Sequence, residues 1–102
     1  MLIFNTTFHV EQGIATEYLD FFMQTYIPVC VESGFLFEPR FSKIMSHGEE
    51  GSVCYSLQFY IKNEDTLHHW LSNGGKELED KLVEKFGPKV VGFITLMDEI
   101  EL

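Results

Sequence analysis

The second half of the stretch from Phe35 to Ile61 shows the most regular alternation of apolar and polar positions in the chain. In the second half of this stretch, the apolar side chains fall on one face and the mainly polar side chains on the other: Val53, Tyr55, Leu57, Phe59 and Ile61 against Ser52, Cys54, Ser56, Gln58 and Tyr60. A period of two is typical of a half-buried strand. Together with the polar, glycine-containing stretch 46–52, the pattern predicts one long β-hairpin.

Two segments with a helical period flank the hairpin. The first runs from Ile14 to Ile27, where Pro28 is expected to end it, because the residue before a proline disfavours helical geometry. A short turn should restart at Pro28 and end at Gly34 as a left-handed cap. The second segment has an N-cap at Asn63, a glycine-rich break at 73–75 and a further helix over 76–86. Its predicted inward positions are Leu67, Trp70, Leu71, Leu78, Leu82, Val83 and Phe86.

A strand before the first helix, around 2–10, and another after the second, Lys89 to Met97, complete the order strand, helix, strand, strand, helix, strand. This order predicts an α+β fold of the ferredoxin-like βαββαβ type: a four-stranded antiparallel sheet with two helices on one face. The 102 residues form a single domain, 1–102. Pro39 cannot donate a ladder hydrogen bond, so Phe35 to Met45 is expected at a sheet edge and the second hairpin arm in the centre.

Two helices can cover only one face of the sheet, and strand parity predicts which residues face away from them. Parity assigns Phe4, Phe8, Tyr55, Leu57 and Phe59 to the covered face. The open face should then carry one side of the last strand together with Ile3, Asn5, Thr7, His9, Cys54, Ser56, Gln58 and Tyr60. Because this surface is too apolar in places for water, it predicts a homodimer in which two sheets pack face to face as a dimeric α/β barrel.

Composition narrows the classes of partner. The formal net charge of −9 argues against nucleic acid and against anionic membrane surfaces, since both need clustered lysine and arginine. No apolar run approaches the about 20 residues of a membrane span, and the first residues lack the features of a signal peptide. Cys30 and Cys54 have no zinc-site spacing, so two reduced thiols in a cytoplasmic protein are favoured, with a disulfide as the alternative. No cofactor and no metal are predicted.

Several short segments resemble a known family. The order of elements is similar to that of the dimeric α/β-barrel superfamily. The segments that carry the closer resemblance, to a bacterial family called the domain of unknown function 4286, are Phe4-Asn5-Thr6-Thr7, Ile27-Pro28, Gly34-Phe35-Leu36-Phe37, Tyr55-Ser56-Leu57-Gln58-Phe59-Tyr60 and Lys85-Phe86-Gly87. The resemblance spans nearly the whole chain and implies the fold, but it supplies no catalytic residues.

The superfamily includes small monooxygenases, and its haem-degrading members use an Asn on the first strand, a Trp on the second helix and a later His. Asn5 and Trp70 match the first two, but no His follows His69, and parity turns Asn5 away from the helices. Trp70 is therefore expected mainly as a core anchor. The neighbours His68 and His69 project about 100° apart on a helix, so they cannot ligate one metal together.

The leading hypothesis is a small homodimer without established catalysis that binds a small polar ligand in its barrel lumen or in the cleft between helices and sheet. The candidate ligand-binding residues are Asn5, His9, Gln58, Tyr60 and Trp70. A cofactor-free or haem-degrading monooxygenase is the first alternative. A regulatory module that binds a partner protein at the exposed edge strand, near Ser42, is the second.

Overall fold

The structure is a computed structural model that describes residues 1–45 and 51–102. The elements, in chain order, are β1 (Leu2–Glu11), α1 (Ala15–Phe21), α2 (Ile27–Glu32), β2 (Leu36–Lys43), β3 (Ser52–Ile61), α3 (Glu64–Ser72), α4 (Gly74–Phe86) and β4 (Val90–Asp98). Short 3₁₀ turns at Gln12–Ile14 and Gly87–Lys89 adjoin α1 and β4. Most of the predicted hairpin loop, including His47, lies outside the described residues.

All four strands form one antiparallel sheet in the order β2-β3-β1-β4. This confirms the predicted fold class, with the hairpin's first arm at an edge and its second arm in the centre. β1 and β3 pair over their whole length without a register shift, and Phe4 lies opposite Phe59 while Phe8 lies opposite Tyr55. The two predicted helices are each divided in two, as α1–α2 and α3–α4.

The predicted parity is also confirmed. Tyr55, Leu57 and Phe59 of β3 and Phe4 and Phe8 of β1 are buried beneath the helices. The core between the sheet and α1 is largely aromatic, so it buries a large area for each side chain. Its members include Tyr18 and Phe22, whose ring centroids lie 4.2 Å apart, and Phe22 in turn stacks on Tyr26 at 4.2 Å.

The first helical segment does not end at Ile27, so that expectation was wrong. Ile27 has helical dihedral angles (φ −65°, ψ −45°), and Pro28 lies within the first turn of α2. A five-residue π-helical stretch, Phe22–Tyr26, joins α1 to α2, and the Ile27 N–H donates to the carbonyl of Phe22 five residues back. The wider turn relieves the clash between a proline ring and the preceding turn, so the chain stays helical to Glu32. Gly34 then adopts the predicted left-handed conformation (φ 80°).

The two edges of the sheet differ. At the β2 edge, the pairing register shifts between Phe37 and Arg40, Glu38 has a φ of +51°, and Pro39 has no N–H to donate. This bulge interrupts the edge on which the partner-binding hypothesis depends. β4, by contrast, pairs with β1 in unbroken register from Val90 to Asp98.

The second helical segment begins as predicted. The Asn63 side chain accepts a hydrogen bond of 2.8 Å from the backbone N–H of Thr66, as an N-cap should. The break also falls where predicted, at Asn73, between α3 and α4. Val83 was predicted to point inward, but 57% of it is exposed, although Leu82 and Phe86 of the same helix are buried.

Candidate functional site

A cleft of about 140 Å³ lies between the α3–α4 segment and the β1–β4 side of the sheet. Its walls come from β1, β4, α3, α4 and the end of the π-helical stretch, and most of the groups that line it are apolar. The larger lining side chains are Phe4, Phe8, Tyr26, Trp70, Leu71, Glu79, Leu82, Val83, Val90 and Ile94. The cleft exists because the helices cover β1 and β3 but leave the middle of β4 uncovered, where Ile94 is 54% exposed.

Trp70 lies on the inward stripe of α3 and is only 4% exposed. Two glycines give its ring the space it needs. A Cβ atom built on Gly74 would lie 2.6 Å from Cζ3 of the indole, and one on Gly75 would lie 2.9 Å from Nε1 and 2.8 Å from the Trp70 carbonyl oxygen. The glycine-rich break between α3 and α4 is therefore also the surface against which Trp70 packs.

Three polar side chains reach the lining of the cleft: Thr6, Tyr26 and Glu79. Burial, followed by the nearby Cys30 and Glu79, raises the pKa of Tyr26 well above its ordinary value. The hydroxyl therefore stays protonated at any physiological pH and can both donate and accept a hydrogen bond. Glu79 is exposed and lies at the solvent side of the cleft.

The open face of the sheet carries a row of polar contacts between β1 and β3. At its centre, Asn5 is only 7% exposed although the helices lie on the other side. Its Oδ1 accepts a hydrogen bond of 2.6 Å from the Ser56 hydroxyl, and its Nδ2 donates to Thr7 at 3.2 Å. Gln58 lies directly opposite Asn5 in the register.

One end of this row holds a cysteine and a histidine. His9 lies opposite Cys54 in the β1–β3 register, and Nδ1 of His9 lies 3.4 Å from Sγ of Cys54. The Phe93 ring of β4 meets the imidazole edge to face, at 5.5 Å between centroids. Both cysteines are free, and Cys30 is buried on α2, on the helical side of the sheet. The thiols therefore belong to two separate environments.

The other end of the row holds Tyr60, whose hydroxyl donates a hydrogen bond to the carboxylate of Glu99. That hydrogen bond is the largest of the effects that raise the pKa of Tyr60. The guanidinium carbon of Arg40 lies 5.1 Å from the centroid of the Tyr60 ring. Arg40 thus reaches from the edge strand over the open face.

The structure separates the five candidate residues into two groups. Asn5, His9, Gln58 and Tyr60 share the open face, and Trp70 lies on the opposite side of the sheet in the cleft. Asn5 and Trp70 therefore do not converge on one pocket. His68 and His69 are both exposed.

The described residues contain neither a metal-binding cluster nor a membrane-spanning helix. Residues 1–45 and 51–102 contain no group of three or more His, Cys, Asp or Glu side chains that could hold a metal ion. Within the same ranges, no helix has the length and apolar character needed to cross a membrane.

Sequence reasoning missed Tyr26 and Glu79 as cleft residues. In the sequence, Tyr26 falls on the apolar stripe of the first helical segment, and Glu79 falls among the charged residues of the second, which is typical of a solvated helix face. The spacing of Tyr26 from Phe22 was a usable signal, but which of the two rings borders a cavity depends on how far the second helical segment extends over β4.

The family model described as "Domain of unknown function (DUF4286)" matches residues 1–100 of the chain. No curated protein matches the chain. Solved structures with the same fold include a candidate antibiotic biosynthesis monooxygenase from Deinococcus radiodurans, with a TM-score of 0.71 and 17% identity over 100% of this chain and 95% of that one.

Two further structures share the fold. A dimeric ferredoxin-like protein from an uncultured marine organism has a TM-score of 0.62 and 13% identity, covering 100% of this chain and 99% of that one. SnoaB from Streptomyces nogalater, a cofactor-independent oxygenase solved as its N63A mutant, has a TM-score of 0.58 and 12% identity, covering 99% and 95%. At these identities the similarity shows the fold alone.

Proposed function

The chain belongs to the DUF4286 family, and on that premise we propose that it forms a homodimer in which the cleft of each copy binds one small aromatic molecule. The observation that carries this proposal is the cleft itself, with its size, its apolar lining and the buried indole of Trp70. The polar row of the open face then serves mainly as an interface between copies, so the ligand class is revised from polar to largely apolar.

The volume of the cleft suits a ligand of about one ring. An apolar cavity of about 150 Å³ in another protein is known to accept benzene, and the present cleft measures about 140 Å³. A haem, with four pyrrole rings in one plane, would lie mostly outside a cleft of this volume. The separation of Asn5 from Trp70 by the sheet argues against the haem-degrading alternative independently of size.

The chemistry of the lining indicates which ring it favours. Trp70, Phe4 and Phe8 offer aromatic surfaces for edge-to-face or offset contacts. The protonated hydroxyl of Tyr26 can hydrogen-bond one polar substituent of the ligand. Since Glu79 is at the mouth and the chain carries a net charge of −9, a neutral ligand is favoured over an anionic one. A phenol-like molecule fits all three features.

The open face supports the homodimer. Phe93 and Val91 of β4 are 56% and 44% exposed on that face, beside the half-buried Ile3 and Met97. Packing a second copy against this surface would remove these side chains from water.

Sedimentation-velocity ultracentrifugation should show a dimer, and Phe93→Glu should shift it to monomer. A wild-type monomer throughout the micromolar range would overturn the dimer.

Trp70 is the only tryptophan in the chain, so its fluorescence reports directly on the cleft. Titration with phenol should change the emission and saturate with a Kd of about 1 mM, which is typical for a ligand of this size. Cyclohexanol should bind more weakly and glucose should not bind. Thr6→Leu, which fills the cleft, should weaken phenol binding about tenfold.

Thr95→Leu is the matched control, because Thr95 lies on the open face of the neighbouring strand β4. Equal effects of the two leucine substitutions would contradict a site in the cleft. An unsaturable fluorescence response, identical for phenol and glucose, would remove the binding function altogether.

A second candidate is a cofactor-independent oxygenase that acts on the same ligand class. It is supported by an aromatic-sized cleft in a fold that such an enzyme also has. In this reaction O₂ would give one oxygen atom to a substrate methylene group, which becomes a carbonyl, while the other leaves as water with the two hydrogens removed. Oxygen consumption with 4-hydroxyphenylacetone, a one-ring substrate whose methylene group lies between the ring and a carbonyl, should then be lost in Thr6→Leu and retained in Thr95→Leu. Binding of phenol without any oxygen uptake would leave only the binding function.

A further inference from the structure

The cysteine and histidine at one end of the open face are not used by the cleft. His9 and Cys54 form a directly opposed pair on the two central strands, with Nδ1 and Sγ 3.4 Å apart. Thiolate sulfur and imidazole nitrogen are the two donors that Zn²⁺ prefers in proteins. Two such donors can share one metal ion only if the distance between the nitrogen and the sulfur matches the geometry of the site.

A tetrahedral zinc site fixes the distance between its sulfur and nitrogen ligands. With a Zn–S bond of about 2.3 Å and a Zn–N bond of about 2.0–2.1 Å, the tetrahedral angle places sulfur and nitrogen about 3.5 Å apart. The observed separation of 3.4 Å therefore already suits two ligands of one ion. Within the described residues no third donor joins the pair, so one chain supplies only half of a site.

We propose that Cys54 and His9 are half of a zinc-type site that the same pair from a second copy completes, giving two sulfur and two nitrogen ligands. The inference rests on the proposed homodimer through the open face. A two-fold axis that runs along the boundary of the central strands lays β1 of one copy over β3 of the other. Such an axis brings Cys54 of each copy towards His9 of the other, across the roughly 10 Å that separate packed sheets.

The charges and the surroundings suit an ion buried between copies. Two thiolates balance a dication, so the completed site is neutral, and the two thiol protons pass to solvent on binding. The Phe93 ring meets the imidazole edge to face, and Val91 lies opposite His9 in the register. Between the two packed sheets these apolar neighbours would restrict access of water to the donors.

Cobalt(II) titration of the full chain under reducing conditions tests the proposal. Tetrahedral Co²⁺ with two thiolates should give sulfur-to-cobalt charge-transfer bands and intense visible bands that saturate at one ion per two chains. Zinc should displace the cobalt. Cys54→Ser and His9→Gln should each weaken binding at least about 100-fold, more than loss of a partner outside the ligand shell costs.

Cys30→Ser is the matched control, because Cys30 is buried on the helical side of the sheet. It should leave the cobalt spectrum and stoichiometry unchanged. Saturation at one ion per chain, or loss of the spectrum in Cys30→Ser, would overturn the proposal.

Sedimentation velocity in parallel separates the two levels of the argument. A dimer without added metal that gives no cobalt spectrum would refute the metal site and leave the homodimer intact. A chain that stays monomeric with and without metal would refute both. Loss of the cobalt spectrum together with dimerisation in Phe93→Glu is the result expected if the second copy completes the site.

Discussion

Replacing Gly74 by alanine tests the packing that shapes the cleft. In most helices this change stabilises the fold by up to about 1 kcal/mol, because alanine has the higher helix propensity. Here the new Cβ would lie 2.6 Å from Cζ3 of Trp70, about 1 Å closer than an ordinary contact. Trp70 is 4% exposed and cannot move aside freely. Overpacking of this kind costs about 1–3 kcal/mol, so we expect a net loss of about 1–2 kcal/mol.

Combining the alanine with Trp70→Leu identifies the cause. All three close contacts of the Gly74 Cβ are to indole atoms, so removing the indole should remove the penalty, and Gly74→Ala should become neutral or stabilising in that background. Gly75→Ala should be only partly rescued, because its Cβ also lies 2.8 Å from the Trp70 carbonyl oxygen, which stays in place. The expected coupling energy for the first pair is about 1.5–3 kcal/mol.

Urea unfolding followed by far-ultraviolet circular dichroism measures these differences without relying on tryptophan fluorescence. Gly13→Ala is the control, since a Cβ there would meet nothing within 4 Å. Its expected effect is below about 0.5 kcal/mol. Additive effects of Gly74→Ala and Trp70→Leu would refute the idea that the glycine exists to accommodate the indole.

Three further predictions follow from single groups. The Tyr18 hydroxyl is buried without a partner among the described residues, so Tyr18→Phe should raise the free energy of unfolding by about 1 kcal/mol; a decrease in urea midpoint would contradict this. Asn63→Ala removes the cap on Thr66 and should cost about 1 kcal/mol, with Asn63→Asp as the conservative control. Burial raises the pKa of Cys30 from 9.0 to about 12, so the folded thiol stays protonated where the unfolded one ionises. Stability should therefore fall by about 1.4 kcal/mol between neutral pH and about pH 10, and Cys30→Ala should remove that part of the fall.

The sheet was largely predictable because its signals are local and of short period. Alternation from Val53 to Ile61 fixed which residues face the helices, and Pro39 fixed which hairpin arm lies at the edge. Both follow from backbone geometry that tertiary contacts rarely change. The N-cap at Asn63 was predictable for the same reason.

The path of the first helical segment was not predictable from Pro28 alone. Proline biases its neighbour against helical geometry, but that bias is small beside the burial of Phe22 and Tyr26 in the aromatic core. A π-helical stretch keeps these rings packed and still accommodates the proline. No residue pattern distinguishes this outcome from a chain break.

For the candidate sites, the sequence pattern predicted which residues share a face of the sheet, but not which side chains come into contact. Parity grouped Asn5, His9, Gln58 and Tyr60, but the 3.4 Å approach of His9 to Cys54 depends on side-chain rotamers. The cleft depends on how far α4 reaches over β4, which is a matter of tertiary packing. Trp70 was expected as an anchor of the core, and it both packs in the core and lines the cleft.

The unlike edges of the sheet limit how large an assembly can grow. A filament built strand by strand requires a receptive edge at each end of the sheet, so that every added molecule offers the next one a place to join. Glu38 and Pro39 distort one end, which leaves only β4 straight enough to accept a neighbouring strand. Two chains that meet through their β4 strands would each use up their single receptive edge, so edge pairing alone stops at a pair, and a fibre would need the open face as a second contact in every chain.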